Sequence, residues 1–131
     1  MRCARAVCVG VTVSFALTLT AACASNAGCA QGAESATKAV QNLIDLSRSA
    51  KSPADICPAV SKGSTVSSKD LAKLRGTFSK EPDENLTITM GPQAGTDAEV
   101  DVTSKDGRIS ERFYAFSDDH SKWTVEFGQF S

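Results

Sequence analysis

A tight turn signal, Asp106-Gly107, constrains the fold most strongly, because it separates two segments with the alternating pattern of β-strands. Both residue types tolerate the positive φ that two-residue hairpin turns require. The turn predicts an antiparallel hairpin that places Asp101 opposite Arg112 on the outer face and Val102 opposite Glu111. The inner face of the second strand then carries the apolar residues Ile109, Phe113 and Ala115.

Two more segments show a strand pattern and extend the hairpin into a sheet. One precedes the hairpin, and the other follows a polar turn at residues 117–121 (SDDHS). The alternating apolar positions before the turn signal and in the last segment are Leu86, Ile88, Met90, Ala98, Val100, Val102, Trp123, Val125 and Phe127. We therefore expect a meander of four antiparallel strands with one apolar face to be covered.

The segments upstream of the sheet have the 3.6-residue spacing and the caps of helices. We predict a first helix over residues 34–49. A second covers residues 53–61, with Ser52 as its cap and Pro53 as its first residue. A third runs from a cap at Ser67 or Ser68 to Gly76. Their apolar faces contain Ala36, Ala39, Val40, Leu43, Ile44, Ile56, Val60, Leu71 and Leu74. Helices followed by an antiparallel meander indicate an α+β fold, with N-terminal helices packed on the sheet.

Residues 1–22 have the composition of an export signal rather than of a folded segment. Arg2 and Arg5 form a short positive region, and the stretch from Ala6 to Leu19 is uncharged and mostly apolar. A stretch of 14 residues is too short to span a bilayer core, which needs about 20 residues in a helix. We expect the signal to be removed, and a retained N-terminal anchor helix is the alternative.

The end of this signal, Leu19-Thr20-Ala21-Ala22-Cys23, resembles a bacterial lipobox. The resemblance implies cleavage before Cys23 and attachment of a diacylglyceryl group to its sulfur. The strongest form of the motif has leucine where this chain has Thr20. Two or three acyl chains anchor a protein stably on a membrane, whereas a single chain is marginal. Ordinary signal cleavage after Ala24, and a lipobox that ends at Cys29, are the alternatives.

Export also accounts for the odd number of cysteines, of which the chain has five. Cys3 and Cys8 leave with the signal, and Cys23 carries lipid or is also removed. Cys29 and Cys57 remain as an even pair in an oxidising compartment, which predicts a structural disulfide. A redox or metal-binding thiol pair is the alternative, although the chain has no C-x-x-C motif.

The whole chain is short and nearly neutral in charge. Its 131 residues allow one domain, which we place at residues 34–131 after a small, polar and flexible tether at residues 23–33. The formal net charge of −1, with 14 basic and 15 acidic residues, does not fit a nucleic-acid-binding module.

Three stretches of the second half resemble the NTF2-like, or cystatin-like, superfamily. They are residues 86–90 (LTITM), 94–103 (AGTDAEVDVT) and 122–126 (KWTVE). Within that superfamily the chain is most similar to small exported lipoproteins and low-molecular-weight antigens of mycobacteria and related actinobacteria. The resemblance implies a cone in which a curved four-stranded sheet curls around a helix and can enclose a cavity. Most members of this group have no assigned chemistry.

Few residues of the chain point to chemistry, since it contains no G-x-S-x-G, P-loop or H-E-x-x-H motif. Glu111 is the catalytic candidate, because the register places it on the inner face and NTF2-like enzymes use an acid in the cone as a general base. The alternative is a position near the sheet end, where its carboxylate reaches water. Tyr114 faces outward. Candidate ligand-binding residues, for which core packing is the alternative, are Phe113, Trp123 and Phe127.

The single histidine lies in a polar turn. His120 follows Asp118 and Asp119, and we interpret the three as a solvated hairpin turn rather than a metal or acid–base site. We predict no metal site and no cofactor.

Three functional hypotheses follow. The first is a non-enzymatic protein of the cell envelope, lipid-anchored on the outer face of the cytoplasmic membrane or secreted, that binds an envelope protein or a small apolar ligand. The second is an NTF2-like enzyme that uses Glu111, and the third is a structural accessory subunit of an envelope complex. An enzyme should show a second polar group facing Glu111 across a pocket, whereas a binding protein should show a mainly apolar cavity.

Overall fold

The structure, a computed structural model, describes residues 28–127, so the predicted signal and Cys23 lie outside the described residues. Its elements are α1 (Ala36–Ser49), a 3₁₀ helix (Pro53–Ala59), α2 (Ser68–Phe78), a short 3₁₀ turn (Asp83–Asn85), β1 (Leu86–Ala94), β2 (Asp97–Ser104), β3 (Ser110–Phe116) and β4 (Thr124–Glu126). The strands form one antiparallel sheet in the order β1-β2-β3-β4. The fold is therefore α+β.

The β2–β3 hairpin has the predicted register but a different turn. The predicted pairs Val100–Phe113, Asp101–Arg112 and Val102–Glu111 all occur. Only Gly107 of the turn has a positive φ, of 76°, and its N–H donates to the Ser104 carbonyl at 3.0 Å. A bond of 3.0 Å from the Ser104 N–H to the Ile109 carbonyl closes a four-residue loop. The loop contains Lys105 and Arg108 in addition to Asp106 and Gly107. Because it gains one residue on each side, the strands beyond it pair in the predicted register.

Both α-helices differ from the prediction at one end. Ser35 caps α1 with its side chain, so that the helix begins at Ala36 rather than at Glu34. The predicted end of α2 at Gly76 is wrong, since the helix continues to Phe78. The Phe78 side chain is fully buried, and this burial outweighs the roughly 1 kcal/mol that a glycine costs inside a helix.

Serine–aspartate pairs start the two helical segments after α1. Asp55 accepts from the Ser52 N–H at 3.0 Å, and Asp70 accepts from the Ser67 N–H at 2.8 Å. The first segment is a 3₁₀ helix rather than an α-helix. Pro58 lies within it, and a proline has no N–H to donate across an α-helical turn.

The core lies between the helices and the inner face of the sheet. The predicted apolar faces of all three helical segments are buried. Of these segments, α1 packs against all four strands, whereas the 3₁₀ helix and α2 pack mainly against α1. Buried apolar residues are Ala33, Ala36, Ala39, Val40, Leu43, Ile44, Ala50, Ile56, Ala59, Val60, Leu71, Leu74, Phe78, Ala98, Val100, Val102, Ile109, Ala115, Trp123 and Val125.

One edge of the sheet is covered by segments from earlier in the chain. Trp123 and Ala33 exchange two backbone hydrogen bonds, of 2.7 and 2.8 Å. Val60 then forms a parallel bridge with Val125, and the Ser61 N–H donates to the Val125 carbonyl at 2.8 Å. We call this side of β4 the closed edge.

A disulfide holds the segment that covers the closed edge. Cys29 and Cys57 are joined, with their Cα atoms 4.6 Å apart. Gly32 has φ +73°, and a Cβ at this position would lie 3.1 Å from the Trp123 carbonyl oxygen, so the close approach requires glycine. Residues 29–33, which the sequence placed in a flexible tether, are thus held against the domain.

Arg48, in the last turn of α1, links the end of α2 to the segment before β1. Its Nε donates to the Phe78 carbonyl at 3.2 Å and its Nη2 to the Glu81 carbonyl at 2.6 Å. Its Nη1 lies 2.6 Å from Asp83 and 3.0 Å from Asp45. The guanidinium therefore pairs with a carbonyl that the end of a helix leaves without an intrahelical partner. The Arg48 hydrogen bond also lowers the pKa of Asp83.

β1 forms the other edge of the sheet. Its pairing with β2 is regular from Leu86 to Met90 and then shifts at Gly91 and Pro92. Leu86 and Ile88 pack against the core, whereas 47% of Met90 is exposed. We call residues 86–90 the open edge.

Candidate functional site

A groove of about 230 Å³ lies between α2 and the sheet. Its floor is apolar and is formed by Leu74, Phe78, Phe113 and Phe127. Its polar lining residues are Asp70, Lys73, Thr77, Glu111, Arg112 and Glu126. The volume lies just below the range of about 300–1,000 Å³ typical of small-molecule sites, so the groove fits a short apolar group.

The floor of the groove is built by elements distant in the sequence. Phe78, in the last turn of α2, lies with its ring centroid 6.2 Å from that of Phe113 on β3, at a tilt of 39°. Phe113 faces the core side because it pairs with the buried Val100. Phe127 follows β4, and its N–H donates to the Ser64 hydroxyl at 3.1 Å. The three rings thus line one groove between α2 and the sheet.

Glu111 lies on the inner face, as the register predicted, and at the rim of the groove. Its Oε2 is 3.6 Å from the Lys73 Nζ of α2, which spans the groove mouth. The side chains are 34% and 72% exposed, respectively, so this ion pair is in contact with solvent. A second polar group therefore faces Glu111, but in a solvated setting rather than in an enclosed cone.

On the outer face, Arg112 joins two acidic side chains of β2. Its Nε is 2.7 Å from Asp101 and its Nη1 is 3.2 Å from Glu99. The hydrogen bond from Arg112 lowers the pKa of Asp101, and the same contact raises the pKa of Arg112. On β4, burial raises the pKa of Glu126, and the nearby Asp97 adds to this shift. Arg112 and Glu126 also line the groove, so charges of both signs lie beside its apolar floor.

The other candidate residues lie away from the groove. Trp123 is buried in the core beside Ala33 and does not line the groove, which agrees with core packing. Tyr114 lies opposite Glu126 in the β3–β4 pairing, next to the outward-facing Arg112. His120 is exposed in the turn before β4, with its ring 6.2 Å from that of Trp123.

A second depression, of about 500 Å³, lies beside the disulfide-linked segment. Ala30, Lys62, Asp118 and Lys122 are among its lining residues, and the last three are exposed. Phe116 is the one aromatic residue among its lining residues, so it lacks the cluster of three aromatic rings that lines the groove.

Among residues 28–127, no group of three His, Cys, Asp or Glu side chains is arranged to hold a metal ion. Within the same residues, no helix combines the length and apolar character needed to cross a bilayer. Comparisons with protein-family models, curated proteins and solved structures returned no match.

Sequence reasoning identified Glu111, Phe113 and Phe127, and the structure brings all three into the groove. It missed Lys73 and Phe78, because the predicted helix stopped at Gly76 and its orientation against the sheet was not defined. The spacing of Leu71, Leu74 and Phe78 was the available signal, since these residues share one helical face at i, i+3 and i+7.

Proposed function

We propose that the chain is an exported, lipid-anchored cell-envelope protein whose groove binds the apolar part of a small amphiphilic ligand. The apolar floor beneath a rim of mixed charge is the observation that carries the binding role. An amphiphile fits both parts, because its short chain would cover Phe78, Phe113 and Phe127 while its head group stays among the rim charges.

Export to an oxidising compartment has independent support. The disulfide Cys29–Cys57 is of the kind that persists outside the cytosol. Residues 1–22 have the composition of a signal, and Cys23 stands at the end of the motif that resembles a lipobox. The proposed location is the outer face of the cytoplasmic membrane, with the mature protein held there by acyl chains on Cys23.

An NTF2-like, or cystatin-like, fold is part of this proposal. It is supported by the order of elements within residues 28–127, in which the helices precede a four-stranded antiparallel meander. The packing of α1 on the inner face of the sheet, through residues such as Leu43 and Val100, supports it further.

The ligand role is tested with two tryptophan variants of the full chain. Thr77 is half-buried and lines the groove, so Thr77→Trp should fill it, whereas Ala72→Trp places the same ring on an exposed position of α2 outside the groove. Native mass spectrometry would follow the binding of decylamine and decanoic acid, which carry opposite charges. We expect at least about a tenfold loss of affinity in Thr77→Trp only. Equal binding by both variants would refute the groove as the site.

The lipid anchor is tested by growth with labelled palmitate and by the intact mass of the membrane-extracted protein. We expect label in the unmodified chain and none in Cys23→Ser. A mature mass without acyl chains would overturn the anchor and leave cleavage after Ala24 as the explanation.

The enzyme hypothesis has one observation in its favour, namely that Lys73 faces Glu111 across the groove mouth. In that case Glu111→Gln would abolish conversion of the bound ligand, while the apolar floor would still hold the ligand chain. Mass spectrometry of the ligand recovered from the unmodified protein separates the two functions, since a binding protein returns it unchanged.

A further inference from the structure

The open edge presents backbone groups that β2 does not use. The Lys105 N–H donates to the Asn85 carbonyl at 2.9 Å, so the odd-numbered residues of this part of β1 bond to β2. The N–H and C=O groups of Ile88 and Met90 therefore point away from the sheet. Within residues 28–127, no backbone hydrogen bond from outside the sheet reaches them.

The composition of the open edge does not protect it from pairing. Proteins commonly guard an edge strand with charged side chains, proline or a bulge. In β1, the register shift at Gly91 and Pro92 disrupts pairing only in the second half of the strand. No residue from 86 to 96 is charged. Met90 is also the one exposed large apolar side chain of the described residues.

The open edge is complementary to itself under a twofold axis through Ile88. In antiparallel pairing about this axis, Ile88 lies opposite Ile88 of the partner subunit, and Leu86 lies opposite Met90 of the partner subunit. These apolar pairs fall on the inner face, while Thr87 lies opposite Thr89 of the partner subunit on the outer face. Apolar side chains therefore lie opposite apolar side chains on the inner face, and threonines lie opposite threonines on the outer face.

The backbone groups match this register as well. The two Ile88 residues would exchange two hydrogen bonds, and each Met90 N–H would donate to the Leu86 carbonyl of the partner subunit. The Leu86 N–H is not needed, since it already donates to the Asp83 carbonyl. All outward-pointing N–H groups of the open edge are then satisfied.

We propose that a second copy of this chain pairs with the open edge and joins the two sheets into one of eight strands. The uncharged segment favours a copy of itself over a strongly charged partner, because neither repulsion nor attraction of charges arises there. Four hydrogen bonds and a small apolar area make a weak interface, so the dimer depends on concentration.

Cysteine cross-linking of the full chain in its native membrane tests the proposal. Opposed residues of a hydrogen-bonded antiparallel pair have Cα atoms about 5.5 Å apart, which suits a disulfide. We expect Ile88→Cys to give a covalent dimer under mild oxidation. Ala94→Cys, exposed on the same strand beyond the shift, is the matched control and should not. Adding Met90→Lys to Ile88→Cys should reduce the yield at least about tenfold, because it places a charge against an apolar residue.

Each other outcome overturns the proposal. Equal cross-linking of Ala94→Cys would indicate random collision, and a cross-link to a different protein would give the open edge another partner. Sedimentation of the otherwise unchanged chain is the second measurement. The proposal would also be overturned if the unchanged chain sedimented as a monomer at all concentrations, with the same sedimentation coefficient as Met90→Lys.

Discussion

The two edges of the sheet are protected in opposite ways. At the closed edge, Ala33 exchanges backbone hydrogen bonds with Trp123, and the Ser61 N–H donates to the Val125 carbonyl of β4. The disulfide Cys29–Cys57 holds the covering segment in place. At the open edge, no segment of residues 28–127 covers the outward-pointing backbone groups of Ile88 and Met90. The only protective feature nearby is the register shift at Gly91 and Pro92.

The difference between the edges assigns them different roles. The closed edge contributes to stability, because its backbone groups form hydrogen bonds within the fold. An uncharged edge that the described chain leaves uncovered is available for a partner. The following variants test this division, from the largest expected effect to the smallest.

Removal of the disulfide should weaken the closed edge most. For Cys29→Ala with Cys57→Ala, we expect the free energy of unfolding to fall by about 3–4 kcal/mol, since the bridge joins residues that are 28 positions apart in the sequence. Urea denaturation measures this loss. Hydrogen exchange of the Ala33 and Trp123 amides should accelerate more than exchange of the β2 amides, which reports the global loss of stability. Unchanged exchange at Ala33 would show that its pairing does not depend on the disulfide.

Loss of the Arg48 contacts should loosen the segment that leads into the open edge. We expect Arg48→Met, which keeps much of the apolar stem, to cost about 2–3 kcal/mol because the Phe78 and Glu81 carbonyls lose a charged donor. Thermal or urea unfolding provides the measurement. Arg48→Lys should recover only part of the loss, since an ammonium lacks the planar fork of donors. Full recovery would mean that charge alone matters.

A single buried hydrogen bond strengthens the closed edge by a smaller amount. The Ser61 and Thr124 hydroxyls lie 2.7 Å apart. We expect Ser61→Ala to cost about 1 kcal/mol, because the Thr124 hydroxyl is left poorly paired. Adding Thr124→Val should not double the loss, since it removes that unpaired group. Strict additivity in urea denaturation would contradict a direct interaction between the two side chains.

The turn between β2 and β3 should make the free energy of unfolding depend on pH in the acid range. Hydrogen bonds from the Ser104 hydroxyl, then from the Arg108 backbone and side chain, lower the pKa of Asp106 from 3.8 to about 2. Because the folded-state pKa is below the unfolded one, the stabilisation is complete above 3.8 and is lost as the pH falls toward 2. Asp106→Asn should flatten this dependence in pH-dependent unfolding. An unchanged slope would exclude Asp106 as a contributor.

Local signals in the sequence were sufficient for most of the fold. The register of the β2–β3 hairpin followed from Asp106-Gly107, even though the turn itself is longer than predicted. The buried face of α1 followed from helical spacing. The Cys29–Cys57 pair followed from the two cysteines that remain when the predicted signal and Cys23 are set aside.

Long-range contacts account for what local signals missed. The extension of α2 to Phe78 depends on burial against Phe113, which no local propensity encodes. The cover of the closed edge by Ala33 depends on pairing with Trp123, ninety residues away. In the groove, Glu111 was placed on the correct face, but its partner Lys73 could be found only once α2 was docked on the sheet.

If Cys23 carries the proposed lipid, the disulfide also limits how far the domain can lie from the membrane. With the proposed lipid on Cys23, only six residue steps lead to Cys29, where the fold begins. At about 3.5 Å per residue, a linker of this length spans at most roughly 20 Å, which is less than the width of most domains. The surface around Cys29, which includes Lys62, would then lie near the lipid head groups, and the bond between Cys29 and Cys57 would limit the height of the domain above them.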